Sequence, residues 1–205
     1  MENLTGVNTG RLEAFSDGVM AVAITLLVLN LPAIEVPVPH LAAYLGRQWP
    51  QFAAYVVSFV TIGIVWINHH SMISRLARGD HVILVVNLLL LMTIVLLPFT
   101  TDLMATYLRH ARPADQQLAA ALYSGSFLLM GVTFSALNWQ ILIGRHHLLG
   151  EAMTDAERRG VFLRAFSGVI PYVVATAIAP ISPIATVAIC GAVAGFYALP
   201  LASGR

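Results

Sequence analysis

The chain has 205 residues, of which 58% are hydrophobic types and 10% charged, and its formal net charge is +1. Soluble domains carry about a quarter charged residues, so 11 basic and 10 acidic side chains are too few to cover a water-facing surface of this size. The balanced charge, the single cysteine (Cys190) and the lack of low-complexity tracts exclude nucleic-acid binding, disorder and a disulfide framework. What remains is an all-α, polytopic membrane protein.

A helix crossing about 30 Å of hydrocarbon needs about 20 mostly apolar residues. Reading from charge to charge predicts a single transmembrane domain of six spans, at 12–31, 51–72, 81–103, 117–143, 162–180 and 183–203. Pro32 stops the first. Asp80 is placed to cap the third. The charge-free stretch after Arg164 is too long for one span, and Pro180-Ile181-Ser182-Pro183 divides it. The residues from His146 to Gly160 read as a solvated hairpin. Arg11 is the only basic residue ahead of the first span and has Glu2, Glu13 and Asp17 around it, unlike a cleaved signal peptide.

Every basic residue is arginine, with no lysine, and with the abundant alanine this hints at a GC-rich bacterial genome. Arg11, Arg75, Arg78, Arg145, Arg158, Arg159, Arg164 and Arg205 fall on one side of the six-span arrangement. Only Arg47, Arg109 and Arg112 fall on the other. The positive-inside rule then places both termini in the cytoplasm of a bacterial plasma-membrane protein.

Polar groups inside spans are costly and are candidate functional residues. The first span opens with Arg11, Phe15, Ser16, Asp17 and Gly18; the second ends Trp66-Ile67-Asn68-His69-His70; the third carries Asn87 and Pro98-Phe99-Thr100-Thr101. Asp17 and His69 lie at similar depth, so Asp17 is expected to pair with His69 or Asn68, and with Arg11. The network reads as structural, with a proton- or metal-responsive site as its functional alternative. Adjacent helical residues point about 100° apart, so His69 and His70 are poorly placed to share a metal, and no metal site is expected. On the first helix, Phe15, Gly18, Val22, Thr25, Leu26 and Leu29 fall within an arc of about 100°.

The pattern Arg11-x3-Phe15-Ser16-Asp17-Gly18, followed by Ala21-x-Ala23-Ile24-Thr25-Leu26-Leu27-Val28-Leu29, resembles the signature of the transmembrane protein 175 family of potassium channels. Trp66-x-Asn68-His69-His70 and the Asn87 to Leu97-Pro98-Phe99-Thr100 stretch match the family's next two helices, so the likeness covers residues 11–101. It implies a homotetramer with helix one lining a central pore, potassium as the permeant ion and no cofactor. It further implies a constriction at Val22, Leu26 and Leu29, with Thr25 beside it, and a structural polar network of Arg11, Ser16, Asp17, Trp66, Asn68 and His69. The family usually has Ile or Leu where this chain has Val22, a smaller ring. A hydrophobic side-chain constriction, unlike a carbonyl cage, predicts weak to moderate selectivity.

Two other classes compete. A small proton-coupled secondary transporter would use Asp17 and His69 as a relay. Against it, residues 1–102 and 103–205 show no internal repeat and no matched pair of interrupted helices. An intramembrane enzyme finds no HExxH or GxSxG motif in the chain, so no catalytic residue is expected. Membrane lipid is the remaining expected partner.

Overall fold

The Asn8 side chain accepts from the Gly10 N–H at 2.8 Å and caps helix α1, Thr9–Leu26, where the first backbone donors lack partners. The computed structural model describes residues 8–31, 40–110 and 112–198. After α1 the chain tightens into a 3-10 turn, Leu27–Asn30. Then follow α2 (Leu41–Arg47), α3 (Trp49–Ile73), α4 (His81–His110), α5 (Pro113–Trp139), α6 (Asp155–Ser167), α7 (Val169–Ile178) and α8 (Pro183–Ala198). Five segments are long and apolar enough to cross a membrane: Thr9–Asn30, Trp49–Ile73, His81–Leu108, Pro113–Gly144 and Asp155–Ile178. They overlap the first five expected spans. The sixth corresponds to α8, and the part of that expected span beyond residue 198 lies outside the described residues.

α4 is the centre of the subunit and packs against α1, α3 and α5. Its residues Ile83, Leu90, Ile94, Leu97 and Met104 are fully buried at steps of three, four and seven, which is one seam of a helix. The hydrophobic effect does not drive helices together in lipid, where the tails are equally apolar, so close packing and interhelical hydrogen bonds must. Hydroxyls supply specific contacts: Ser58 with Thr101 at 2.8 Å, Thr100 with Ser126 at 2.8 Å, and Thr93 with Thr133 at 3.2 Å, linking α3, α4 and α5.

Asp80 caps α4 as expected, its Oδ1 accepting from the Ile83 N–H at 2.9 Å. Its other oxygen takes the Arg145 guanidinium, which also donates to Gln140 Oε1 at 2.7 Å from a widened π-turn at Gln140–Gly144. Beside this clasp, Ala77 N donates to Leu148 O at 2.9 Å and Gly150 N to Arg75 O at 2.8 Å, forming one antiparallel bridge between two loops.

One expectation is corrected. The residues from His146 to Gly160 are not all hairpin, because α6 begins at Asp155. Thr154 Oγ1 accepts from the Glu157 N–H, and the Glu157 carboxylate accepts from the Thr154 N–H, a reciprocal cap. The fifth span is also broken, at Gly168, between α6 and α7. Pro183 opens α8, as the division of the last two helices at the Pro-Ile-Ser-Pro run requires.

Candidate functional site

The two faces of α1 have opposite fates. Leu12, Ser16, Met20, Ala23 and Leu27, at three- and four-residue steps, are all at most 5% exposed. The other side presents Phe15, Val22, Leu26 and Leu29, exposed by 55%, 56%, 39% and 75%, together with Gly18 and Thr25. Side chains three apart eclipse in a 3-10 turn, so the turn that follows Leu26 sets Leu29 in line above it. The Thr25 hydroxyl donates to the Val22 carbonyl at 2.8 Å. Its oxygen therefore keeps its lone pairs free on the exposed face. Ile24 packs partly against the core and Leu27 wholly within it.

Behind that face runs a polar chain with one direction. Ser16 Oγ donates to Leu12 O at 2.9 Å, and Asn87 Nδ2 donates to Ser16 Oγ at 3.0 Å. Asn87 Oδ1 is thus the acceptor for His69 Nε2 at 2.7 Å, which fixes the proton on Nε2. His69 Nδ1 is left buried without a partner. Three helices meet in these bonds, all through buried side chains.

The pairing expected for Asp17 is corrected by this geometry. Asp17 Oδ1 accepts from Trp66 Nε1 at 2.9 Å and does not meet His69 or Asn68. Ser16 takes the inward position one residue earlier, and a 100° step carries Asp17 to the flank of α1 where Trp66 reaches it. Arg11 is exposed and has no side-chain partner among the described residues. Asn68 faces away from the chain of bonds, its Nδ2 donating to Ile64 O at 2.8 Å. The structure thus joins Ser16 with His69 and Asp17 with Trp66, and leaves Arg11 and Asn68 outside both sets.

Three contacts were not foreseen. His70 Nδ1 meets the Glu13 carboxylate and ties α3 to the first turns of α1. Asn30 Nδ2 donates to Pro98 O at 2.7 Å, pinning the far end of the α1 segment to α4. Asn87 supplies the middle of the polar chain. Its signal was depth: an amide in the third span at the level of Ser16 and His69 needs partners of both kinds, and those two side chains supply them.

Fold and site define a polytopic helical membrane protein whose helices, α1 among them, carry exposed apolar faces. A family model described as the endosomal/lysosomal potassium channel TMEM175 matches residues 11–98. A potassium channel of Streptomyces collinus is 40% identical over 92% of this chain and 91% of its own length. The crystal structure of a lysosomal potassium-selective channel TMEM175 homolog from Chamaesiphon minutus superposes with a TM-score of 0.77. It is 35% identical, covering 96% of this chain and 98% of that one. The rat endosomal/lysosomal proton channel TMEM175 is 32% identical over 62% of this chain, which spans 28% of it. The chain belongs to the TMEM175 family, a family of ion channels and not of enzymes.

Proposed function

We propose that the chain is the subunit of a weakly to moderately potassium-selective channel, in which four copies close around an axis lined by α1. One observation carries the reading. α1 buries one face in its own subunit and leaves the other, from Gly18 to Leu29, apolar, free of charge and broken by a single hydroxyl. Within a ring of copies that stripe faces the axis, with Val22, Leu26 and Leu29 as successive constrictions and Thr25 as a ring of oxygen acceptors. Potassium gives up water more readily than sodium, so a narrow apolar ring that strips part of the hydration shell favours potassium, and the same ring closes by dewetting.

The Ser16–Asn87–His69 chain and the Asp17–Trp66 bond serve in this reading as the scaffold that fixes α1 against α3 and α4. The carrier alternative loses its relay, since Asp17 and His69 bond to different partners. In this reading the chain lies in a bacterial plasma membrane with both termini cytoplasmic, surrounded by lipid, with potassium as the permeant ion and no cofactor.

Flux from liposomes holding the purified protein is the test, with potassium, sodium and proton gradients imposed in turn. Passive potassium flux exceeding sodium flux is expected. Exchange that saturates and requires a proton gradient would sink the channel reading.

A further inference from the structure

Asn68 stands next to the histidines in sequence yet takes no part in their bonds. It lines a cavity of about 120 Å³ between α3, α5, α7 and α8, bordered also by Gly131, Phe134, Gly168 and Tyr197. Small residues keep it open: a Cβ added to Gly168 would stand 3.1 Å from the Tyr197 hydroxyl. A second cavity, of about 430 Å³, has a mixed wall in which Arg75, Glu151, Glu157 and Arg164 stand among apolar side chains such as Met153. Both have part of their wall on α6. Val161 and Arg164 line the charge-bearing cavity, Ala165 and Gly168 the apolar one. Steps of three, four and seven put all four on one helix face.

In this charge-bearing cavity Arg164 Nε donates to Gly160 O at 3.4 Å, within its own helix. Arg75, Arg164 and Glu151 form no ion pair among the described residues. The Glu157 carboxylate is engaged by Thr154. Arginines at the end of a span sit at headgroup level, and an apolar cavity in a span excludes water and accepts hydrocarbon. A headgroup carrying both a phosphate and a primary ammonium complements two arginines and a carboxylate. A purely anionic headgroup would meet Glu151 unfavourably, and a choline headgroup has no N–H to donate to it.

We propose that one phosphatidylethanolamine-type phospholipid per chain, from the leaflet on the arginine-rich side, occupies both cavities along α6. Arg75 and Arg164 hold its phosphate, Glu151 its ammonium, and part of one acyl chain lies between Gly131 and Gly168 beside Asn68. The proposal needs the chain to be embedded in a membrane and does not depend on which ion it conducts.

The test is binding of dioleoyl-phosphatidylethanolamine, -phosphatidylglycerol and -phosphatidylcholine to the purified full chain, read by native mass spectrometry and by the rise in melting temperature. One ethanolamine lipid per chain is expected, held more tightly than either of the others. Arg75→Gln and Arg164→Gln should each weaken it about fivefold, the equivalent of about 1 kcal/mol per charge at a headgroup. Glu151→Gln should erase the preference for ethanolamine over glycerol headgroups and leave phosphate binding intact. Equal affinity for all three lipids in the unaltered protein overturns the proposal, as does unchanged binding in the arginine variants. Since binding is read without any flux, failure here leaves the channel reading standing, and failed flux leaves this one standing.

Discussion

In the proposed tetramer the Thr25 hydroxyl is repeated four times around the axis. Its proton is spent on the Val22 carbonyl, so what it offers outward is an oxygen, the group that replaces water around a cation. Thr25→Val keeps the shape and removes the oxygen; potassium-over-sodium selectivity in bi-ionic recordings should fall with little change in conductance. Leu29 and Leu27 make a paired control on the same turn, one 75% exposed and the other fully buried. Leu29→Ala should raise relative sodium permeability. Leu27→Ala should instead lower the melting temperature, a buried truncation costing about 2–5 kcal/mol, and leave ion preference alone. Equal shifts in selectivity from the two would show that the face assignment is wrong. Behind the stripe, Asn87→Ala strands both the His69 Nε2–H and the Ser16 oxygen. Hydrogen bonds between membrane helices are worth about 0.6 kcal/mol on average and up to about 1.7, so a modest loss of thermal stability is expected, with selectivity retained once the protein is assembled.

At the scale of elements, the hydrophobic spans were legible because their signal is length and composition, which no tertiary contact can reverse. The faces of α1 were legible for the same kind of reason, since a 100° step needs only the sequence. What escaped was the choice among polar partners. Asp17, His69, Asn68 and Arg11 share a depth, but a residue's angle about its helix decides whom it meets, and that depends on how three helices are turned against each other. The reciprocal cap at Thr154 and Glu157 was in the sequence as a Thr-x-x-Glu pattern, but the charges around it read as a solvated loop. Thr154→Ala should therefore fray the first turn of α6 and cost about 1 kcal/mol, seen as faster amide exchange at 155–158. Asp80 gives the pH dependence at this scale. Partial burial pushes its carboxyl up, but the Ile83 N–H and the Arg145 guanidinium outweigh it and hold it below the ordinary aspartate value. A group depressed in the folded state contributes stability above its unfolded value, about 3.9, and loses it as pH falls through the folded one. The clasp between α4 and the Gln140–Gly144 turn should thus weaken only in acid below about pH 4. Asp80→Asn should lower the melting temperature at neutral pH and flatten that acid-side decline.

For the whole molecule, the exposed half of α1 poses a problem that one chain cannot solve. A single helix encloses nothing, and lipid alone gives no reason to align Thr25 with Val22, Leu26 and Leu29. Identical copies related by a closed rotation place the same stripe on a shared axis, and a mass of four chains is the expected result in mild detergent by native mass measurement. A protein that stays monomeric there would remove the basis for the pore. The ring also makes a prediction that assembly alone does not. Leu26 lies midway along the stripe, and in a tetramer its side chain appears four times at one level, where an apolar neck expels water and stops ions. Leu26→Asn puts four amides at that level, so the neck should stay wet and single-channel conductance or open probability should rise, with the tetramer intact. An Asn at Ile24, partly packed within the subunit, should bring no such gain. Were the two substitutions to raise current alike, the stripe would not be the constriction, and the path for ions would have to be sought elsewhere in the subunit.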